Sequence, residues 1–220
     1  KTSSHQNKDA IGVKVQSDLL QSGRLKIRLK IPYPTGNWDD TGTKWEGVED
    51  YTSTVVQKTK TSAVVTHEMD SLSYAIRLNW KGNAQLKKKG NHYFLIEPFK
   101  TNTIELSCLF APTTNKEQTV PSFSEIQTSS TSGWQHFWES GAAVDFSGST
   151  DKRANELERR VVLSQYLTKL QCTGTVPPQE TGLTYNSWYG KPHLEMHWWH
   201  GVHFALWNRP ELLEKSLRSE

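Results

Sequence analysis

The chain has 220 residues, of which 35% are hydrophobic, 10% aromatic and 22% charged, with a formal net charge of +3. This length can bury one full core, or one domain and part of another, and the aromatic content argues against a disordered chain. No apolar run approaches the roughly 18 residues that a membrane-spanning helix needs, so no such span is predicted.

Charge and cysteine content narrow the possible partners. The three lysines at 87–89 precede Gly90 and Asn91, which predicts a solvated turn in a hairpin-like loop rather than a nucleic-acid patch. No basic stripe is interleaved with stacking aromatics, so the sequence predicts no nucleic-acid partner. Cys108 and Cys172 fall in different predicted domains, which favours buried free thiols, and two cysteines are too few for a structural zinc site.

The first half of the chain alternates between apolar and polar residues with period two. Leu25, Ile27 and Leu29 share one face with Lys and Arg between them, which is typical of half-buried antiparallel strands. Breaks rich in Gly, Asn, Pro and Ser separate about seven such segments. The segments are 11–15, 25–31, 52–57, 62–68, 73–80, 92–98 and 102–111. Residues 1–112 are therefore predicted to form an antiparallel β-sandwich.

The second half of the chain changes character. Residues 113–154 are predicted to be a linker, and three aromatics between Trp134 and Trp138 either attach it to a domain interface or line a cleft. The pattern then predicts helices over 155–171 and 193–206 and a third that begins at Pro210. Residues 155–220 are thus a helical segment, and strands followed by helices predict an α+β fold.

The segment 183–209 contains four of the nine tryptophans and four of the eight histidines. Flat apolar rings mixed with hydrogen-bonding groups suit a polyhydroxylated ring, and histidine is the residue most often used to handle protons near neutral pH. The segment therefore predicts a carbohydrate-binding surface. Its predicted substrate-binding residues are Trp188, Tyr189, Lys191, His193, Glu195, His197 and Trp199.

The histidines of this segment leave two interpretations open. His193, His197 and His200 lie on one helical stripe, where they either face a sugar or pack within a pair of helices. Glu195 is turned by about 200° from His193, so the spacing does not match a zinc-protease helix, and neither a metal nor a cofactor is predicted. The connector 177–182, which leads into 185–190, is either an active-site loop or an ordered connection.

Five short motifs follow one another in the second half. They are Trp-x-x-Phe-Trp-x-Ser at 134–140, a Leu-Glu helix with Tyr-Leu at 157–167, Val-Pro-Pro-Gln at 176–179, Trp-x-Gly at 188–190 and Glu-Met-x-x-Trp at 195–199. Together they resemble the start of the catalytic domain of six-hairpin, (α/α)6-barrel glycoside hydrolases. The nearest likenesses are bacterial family 95 α-L-fucosidases, α-rhamnosidases and the trehalose and maltose phosphorylases, in which a β-supersandwich and a linker precede the barrel.

The resemblance implies an enzyme that cleaves glycosidic bonds in oligo- or polysaccharide, located in the bacterial periplasm or secreted. Inverting hydrolysis uses two carboxyl groups about 6.5–9.5 Å apart. In the resembling families both come from later helices, so this chain is expected to be an inactive fragment, with Glu195 and Asp145 as weak local candidates. Lys191, Pro192 and His193 stand where the fucosidases have Asn, which argues against fucose.

An alternative belongs to a different class of protein. It is a complete, non-enzymatic carbohydrate-binding or cell-surface interaction protein, formed by a β-sandwich with a helical appendage. The exposure of residues 193–220 separates the two hypotheses, because the first helices of a barrel would leave apolar faces uncovered and would favour homo-oligomers through them. The apolar residues concerned are Trp198, Phe204, Leu206, Leu212 and Leu213.

Overall fold

The computed structural model of this protein describes residues 1–35, 37–38, 44–45, 51–115, 118–183 and 188–218. In that part of the chain two antiparallel sheets and five α-helices form, so the predicted α+β class is confirmed. The chain divides into two compact units. The β unit comprises Lys1–Tyr33 and Lys44–Gln135, and the helical unit comprises Pro34–Thr43 and His136–Glu220.

Strands form most of the β unit. Within the described residues they are β1 (Thr2–Ser4), β2 (Ala10–Gln16), β3 (Ile27–Lys30), β4 (Tyr51–Lys58), β5 (Ser62–Met69), β6 (Leu72–Lys81), β7 (Ala84–Gly90), β8 (Tyr93–Pro98) and β9 (Thr103–Pro112). One sheet has the strand order β1-β2-β9-β6-β5-β4 and the other has the order β3-β8-β7. All neighbouring strands in both sheets run antiparallel.

The period-two alternation builds the core of the β unit. Val65 on β5 pairs with Ile76 on β6, and Ala63 pairs with Leu78, and these four residues are at most 2% exposed. Phe94 on β8 belongs to the same apolar cluster, so a single core draws side chains from both sheets. Full burial of such side chains is the main source of folding free energy in this unit.

The lysines at 87–89 do not form the predicted loop. They lie within β7, where Lys87 pairs with Leu95 and Lys88 with Phe94 of β8. The prediction of a solvated turn is therefore wrong. Only Ala84 and Leu86 alternate as buried residues in β7, which is too short an apolar pattern to identify a strand.

A helix occupies much of the predicted linker. It is α2 (Phe123–Glu139), and it begins with a capping box. The Ser122 hydroxyl accepts a hydrogen bond from the Glu125 amide at 3.2 Å, and the Glu125 carboxylate accepts one from the Ser122 amide at 2.7 Å. The Ser122 hydroxyl also donates to the Glu125 carboxylate at 2.7 Å, and this bond, followed by that from the Ser122 amide, lowers the pKa of Glu125. Part of the predicted linker is therefore helical, and the boundary between the two units falls within α2, after Gln135.

The remaining helices are α1 (Asp18–Gln21), α3 (Ala154–Cys172), α4 (Leu194–Leu206) and α5 (Pro210–Leu217). The second and third helices predicted from the sequence correspond to α4 and α5, and α5 begins at Pro210 as expected. Gly201 allows α4 and α5 to approach closely, since a Cβ at this position would clash with the side chain of Leu213.

The described residues show the state of the two cysteines and the character of the helices. Cys108 and Cys172 are free thiols, as predicted, and burial raises their pKa to about 12 and about 11. Among the helices that are described, none is both long and apolar enough to cross a membrane.

Candidate functional site

An unusual turn presents two aromatic side chains of the helical unit to solvent. Trp188, Tyr189 and Gly190 have φ values of 50°, 60° and 69°, so three consecutive residues lie in the left-handed region. Only glycine adopts this region without strain, and a non-glycine residue there costs about 1–3 kcal/mol. The Trp188 and Tyr189 residues are nevertheless 46% and 58% exposed. Strain is therefore maintained at a position where two large rings face water.

Other side chains gather around this turn. Trp38 meets Trp188 edge-on, with 5.5 Å between ring centroids, and its carbonyl accepts a hydrogen bond from the Tyr189 amide at 3.1 Å. The ring of His193 lies 5.6 Å from that of Trp188, and the Lys191 ammonium is 5.6 Å from the Tyr189 centroid. We call these five residues the aromatic corner. Four were predicted as site residues, and Trp38 was not.

Trp38 was not predicted as a site residue, because an isolated tryptophan in a strand-rich region usually fills a core. A local signal was available in the sequence. Trp38 stands in the run Pro-Thr-Gly-Asn-Trp-Asp-Asp, whose turn-forming residues are unsuited to a buried strand. The residue is 52% exposed, in keeping with that composition.

Glu180 links the aromatic corner to helix α4. Its carboxylate lies 3.8 Å from His193 Nε2, and its backbone hydrogen-bonds with His200. Burial lowers the pKa of His200, which the bond to Glu180 partly opposes, and proximity to His197 lowers it further. His200 Nδ1 is buried without a hydrogen-bond partner. His200 therefore packs within the unit as a predominantly neutral ring.

His197 faces helix α5. Its Nε2 lies 2.8 Å from the Ser216 hydroxyl, which donates to the Leu213 carbonyl at 3.0 Å. The hydrogen bond between the His197 ring and the Ser216 hydroxyl therefore joins α4 to α5. His197 thus contributes to helix packing, whereas His193 belongs to the aromatic corner. The histidine stripe is therefore divided between two environments.

Glu195 and Trp199 lie on the opposite side of α4, where both are exposed. The same side is strongly apolar, because Leu194 is 90% exposed and Leu206 is 76% exposed. Trp198 and Trp199 are almost equally exposed, at 61% and 59%. The seven predicted binding residues are therefore found in three places: the aromatic corner, the solvent side of α4 and the α4–α5 contact.

A cavity of about 350 Å³ lies beside the connector between α3 and the strained turn. Ligand pockets in proteins begin near 300 Å³, so the cavity is of a size for one sugar ring. Gly182, with a φ of 80°, lies against the Gln171 side chain, whose carbonyl oxygen accepts the Leu183 amide at 2.6 Å. The predicted loop residues Tyr185, Asn186 and Ser187 lie outside the described residues. The cavity is lined by Gln171, Gly174, Val176, Pro177, Pro178, Gln179, Leu183 and Gly190.

The aromatic motif at the end of α2 forms an internal junction of the helical unit. The Phe137 ring is 3% exposed, and the Arg209 guanidinium and the Lys169 ammonium lie 4.2 and 4.8 Å from its centroid. Arg209 donates two hydrogen bonds to the Phe137 carbonyl, at 2.8 and 3.1 Å. Burial, followed by the nearby Lys215 and Arg209, lowers the pKa of Lys169 to about 8. Phe137 therefore serves packing rather than a cleft wall.

A second polar cluster, in the β unit, was not anticipated from the sequence. Ser53 Oγ lies 2.9 Å from His67 Nδ1 and 2.8 Å from His92 Nδ1. Tyr51 stacks on His92 with 3.5 Å between centroids and donates to the Ile31 carbonyl at 3.0 Å. Ser53 and His67 are only 3% and 1% exposed. The hydroxyl is therefore not placed to attack a substrate, and we interpret the cluster as structural.

The only signal for this cluster in the sequence is the alternation of inward-facing and outward-facing residues along the strands. Ser53 lies two residues before Val55 and His67 two residues after Val65, so both polar residues point inward with the core. His92 comes from the turn before β8, and its approach depends on how the sheets pack. Burial, followed by the nearby His92, lowers the pKa of His67.

Within the described residues, no group of three or more His, Cys, Asp or Glu side chains could hold a metal ion. No protein-family model matches the chain, and comparison with curated proteins gives no match either. The side chains themselves therefore carry the functional inference.

Proposed function

We propose that the helical unit binds carbohydrate and belongs to a glycoside hydrolase that cleaves glycosidic bonds in oligo- or polysaccharide. The aromatic corner is the observation that carries this proposal. Its rings are exposed at the cost of backbone strain, and strain of this kind is concentrated at binding and catalytic sites. Exposed rings beside charged groups are suited to a ligand with one apolar face and many hydroxyl groups.

The chemistry of recognition follows from the groups present. The C–H face of a sugar ring would stack on Trp188 or Tyr189, which excludes water from both apolar surfaces. Lys191 donates to hydroxyl oxygens, and the Glu180 carboxylate accepts from hydroxyl groups. The neighbouring cavity of about 350 Å³ can hold a ring stacked at the edge of the corner.

The other predicted residues have different parts in this proposal. Glu195 and Trp199 extend the sugar-binding surface along the solvent side of α4. His197 acts as a positioning residue, since its bond to Ser216 fixes the rotation of α4 against α5.

The finer architecture belongs to the same proposal. We infer that the two sheets form a supersandwich-like β domain and that α3 to α5 are the first helices of an (α/α)6 barrel. Uncovered apolar side chains support this, because helices in such a barrel pack against neighbours on both sides. Apart from Trp199, the exposed apolar residues of α3 and α4 are Leu157, Val162, Leu163, Tyr166, Leu167, Leu170, Leu194, Trp198 and Leu206.

The mechanism that accompanies this architecture is inverting hydrolysis with two carboxyl groups. We propose that both are supplied by later helices of the barrel, so that residues 1–220 bind sugar without cleaving it. A complete interaction protein would cover Leu194 and Leu206, and it is less well supported than a hydrolase because both are more than three-quarters exposed. By the same resemblance, the enzyme acts in the periplasm or outside the cell, and the uncovered faces favour homo-oligomers of the chain.

Tryptophan fluorescence titrations with methyl glycosides of glucose, galactose, rhamnose and fucose test the proposal. At least one glycoside should bind, and Trp188→Ala should weaken binding by about tenfold or more, since a stacked ring contributes on the order of 1 kcal/mol beyond its buried area. Trp199→Ala should also weaken binding, whereas the equally exposed Trp198→Ala should not.

Two outcomes would contradict the proposal. One is the absence of saturable binding to any glycoside of the panel. The other is an equal loss in Trp198→Ala and Trp199→Ala, because it would assign both rings to a general apolar surface. Release of nitrophenol from nitrophenyl glycosides by the chain alone would overturn the placement of the carboxyl groups.

A further inference from the structure

The outward side of the sheet β3-β8-β7 is strongly basic. Ile27, Leu29 and Leu86 point into the core, as do Phe94 and Ile96, so the residues between them point away from it. We call the outward residues the basic face. They are Lys26, Arg28, Lys30, Lys87, Lys89, Tyr93, Leu95 and Glu97.

The strand register arranges these cations in two rows. Arg28 of β3 and Lys87 of β7 both pair with Leu95 of β8, so they flank the central strand on either side. Neighbouring strands are about 4.8 Å apart, which separates the two rows by about 10 Å. Outward residues of one strand repeat about every 7 Å. The repeat holds in β3, whereas a β-bulge between Lys88 and Gly90 interrupts it in β7. The basic face therefore joins two differently spaced rows from segments that are far apart in the sequence.

A single carboxylate, that of Glu97, lies among the cations at one end of the basic face. Glu97 lies 2.6 Å from the ammonium of Lys87, 3.1 Å from that of Lys26 and 3.9 Å from that of Lys89. Hydrogen bonds from Lys87 and Lys26 lower its pKa to about 2. Five cations and one carboxylate give the face a net charge of +4, against +3 for the whole chain. The rest of the chain therefore has a formal net charge of −1.

We propose that the basic face binds an acidic polysaccharide whose rings carry carboxylate or sulfate groups. Two rows of cations on one surface are complementary to a polymer that carries anionic groups along its length. Tyr93 lies between the rows, and Trp45 lies beside them with the Lys30 ammonium over its ring, 5.3 Å from the centroid.

The side chains favour a polysaccharide over a single-stranded nucleic acid. Four of the five cations are lysines, which lack the planar fork that arginine offers to phosphate. Nucleic-acid channels also present successive stacking aromatics, whereas Leu95 and Glu97 follow Tyr93 along β8. The choice of a polysaccharide rests on the proposed function of the helical unit, but the surface is a separate one.

Binding of the full chain to four polymers tests the inference. Polygalacturonate carries carboxylates, dextran sulfate carries sulfates, dextran is neutral and an oligothymidylate carries phosphates. We expect affinity electrophoresis at 50 mM salt to show binding to polygalacturonate or dextran sulfate and none to dextran. Raising the salt to 300 mM should weaken this binding by about tenfold or more, because exposed charges are screened. Comparing polygalacturonate with dextran sulfate shows whether the basic face binds carboxylate or sulfate groups.

A matched pair of variants locates the site. Arg28→Gln with Lys30→Gln removes two cations of the face and leaves the three lysines around Glu97 in place. We expect about tenfold weaker binding from this variant. Lys60→Gln with Lys81→Gln removes the same charge from the exposed turn between β4 and β5 and from the exposed end of β6, and it should change affinity by less than about twofold. Circular dichroism checks that both variants fold.

Three results would overturn the inference: no binding to either acidic polysaccharide, an equal loss in the two variants, or tighter binding of the oligothymidylate. Trp188→Ala separates this inference from the proposed function. That variant should keep its affinity for the acidic polymer while it loses affinity for the methyl glycoside. A chain that binds the polymer but no methyl glycoside would contradict only the proposed function.

Discussion

The β unit and the helical unit differ in which side chains they bury and which they expose to solvent. In the β unit Val65 and Phe94 are fully buried, and the cations lie on the surface. In the helical unit Leu194 is 90% exposed, whereas Arg209 is 1% exposed. A core of packed apolar side chains explains the first arrangement. The second is held by a few polar junctions and leaves apolar surface available for binding, so the two units should respond differently to substitution.

The largest effect is expected in the core of the β unit. Phe94→Ala removes a fully buried ring from a cluster that draws on both sheets, and it should lower the free energy of unfolding by about 4 kcal/mol. Urea denaturation followed by circular dichroism measures the change. Leu206→Ala, at a position 76% exposed in the helical unit, should stay within about 0.5 kcal/mol of the parent chain. Similar losses in the two variants would mean that apolar burial does not distinguish the units.

The sequence predicts the two units unequally well, for a physical reason. Alternation identified β5 and β6 to within two residues because each strand has one buried and one solvated face. Strand β7 was missed because it has only two buried apolar residues. Helix α2 was missed because its first half is rich in serine and threonine, although the capping box of Ser122 and Glu125 was present in the sequence.

The candidate site shows a second limit of prediction from sequence. The spacing of His193, His197 and His200 predicted one helical stripe, but only His197 and His200 lie in α4, and His193 precedes it with an extended backbone. A helical pattern also does not say which side meets a neighbouring helix. The contact of His197 with Ser216 depends on how α4 packs against α5. Trp38 joins Trp188 from 150 residues away in the sequence, and only the folded chain brings such residues together.

A smaller effect than that of Phe94 is expected at the polar junction of the helical unit. Arg209→Met removes two hydrogen bonds to the Phe137 carbonyl and leaves that buried oxygen without them. The expected loss is about 2–3 kcal/mol, since hydrogen bonds from a charged group are stronger than neutral ones. Thermal unfolding measures it.

The matched control for Arg209 is Arg159→Met. This substitution breaks an exposed ion pair with Glu156 on α3 and should cost less than about 1 kcal/mol. If Arg209→Met were as stable as the parent chain, the buried guanidinium would not hold the helices together, and the contrast between the units would rest on apolar burial alone.

The smallest effect is expected in the pH dependence of stability, through the buried His67 of the β unit. Burial and the nearby His92 lower the pKa of His67 in the folded chain below the ordinary value of 6.5. A group of this kind takes up a proton more readily in the unfolded chain. Its contribution to stability is therefore fully present above pH 6.5 and is lost as the pH falls below that value, through the lower folded pKa.

The free energy of unfolding should accordingly fall between pH 7 and pH 5, and His67→Gln should make that fall shallower. Urea titrations at several pH values measure the slope, which remains readable even if the variant is less stable overall. His136→Gln, which removes a histidine from an exposed position, serves as the control. An unchanged slope in His67→Gln would mean that the Ser53 cluster accommodates the charged ring. The buried polar network of the β unit would then tolerate charge as the helical unit does at Arg209, and the opposition between the two units would be confined to their apolar side chains.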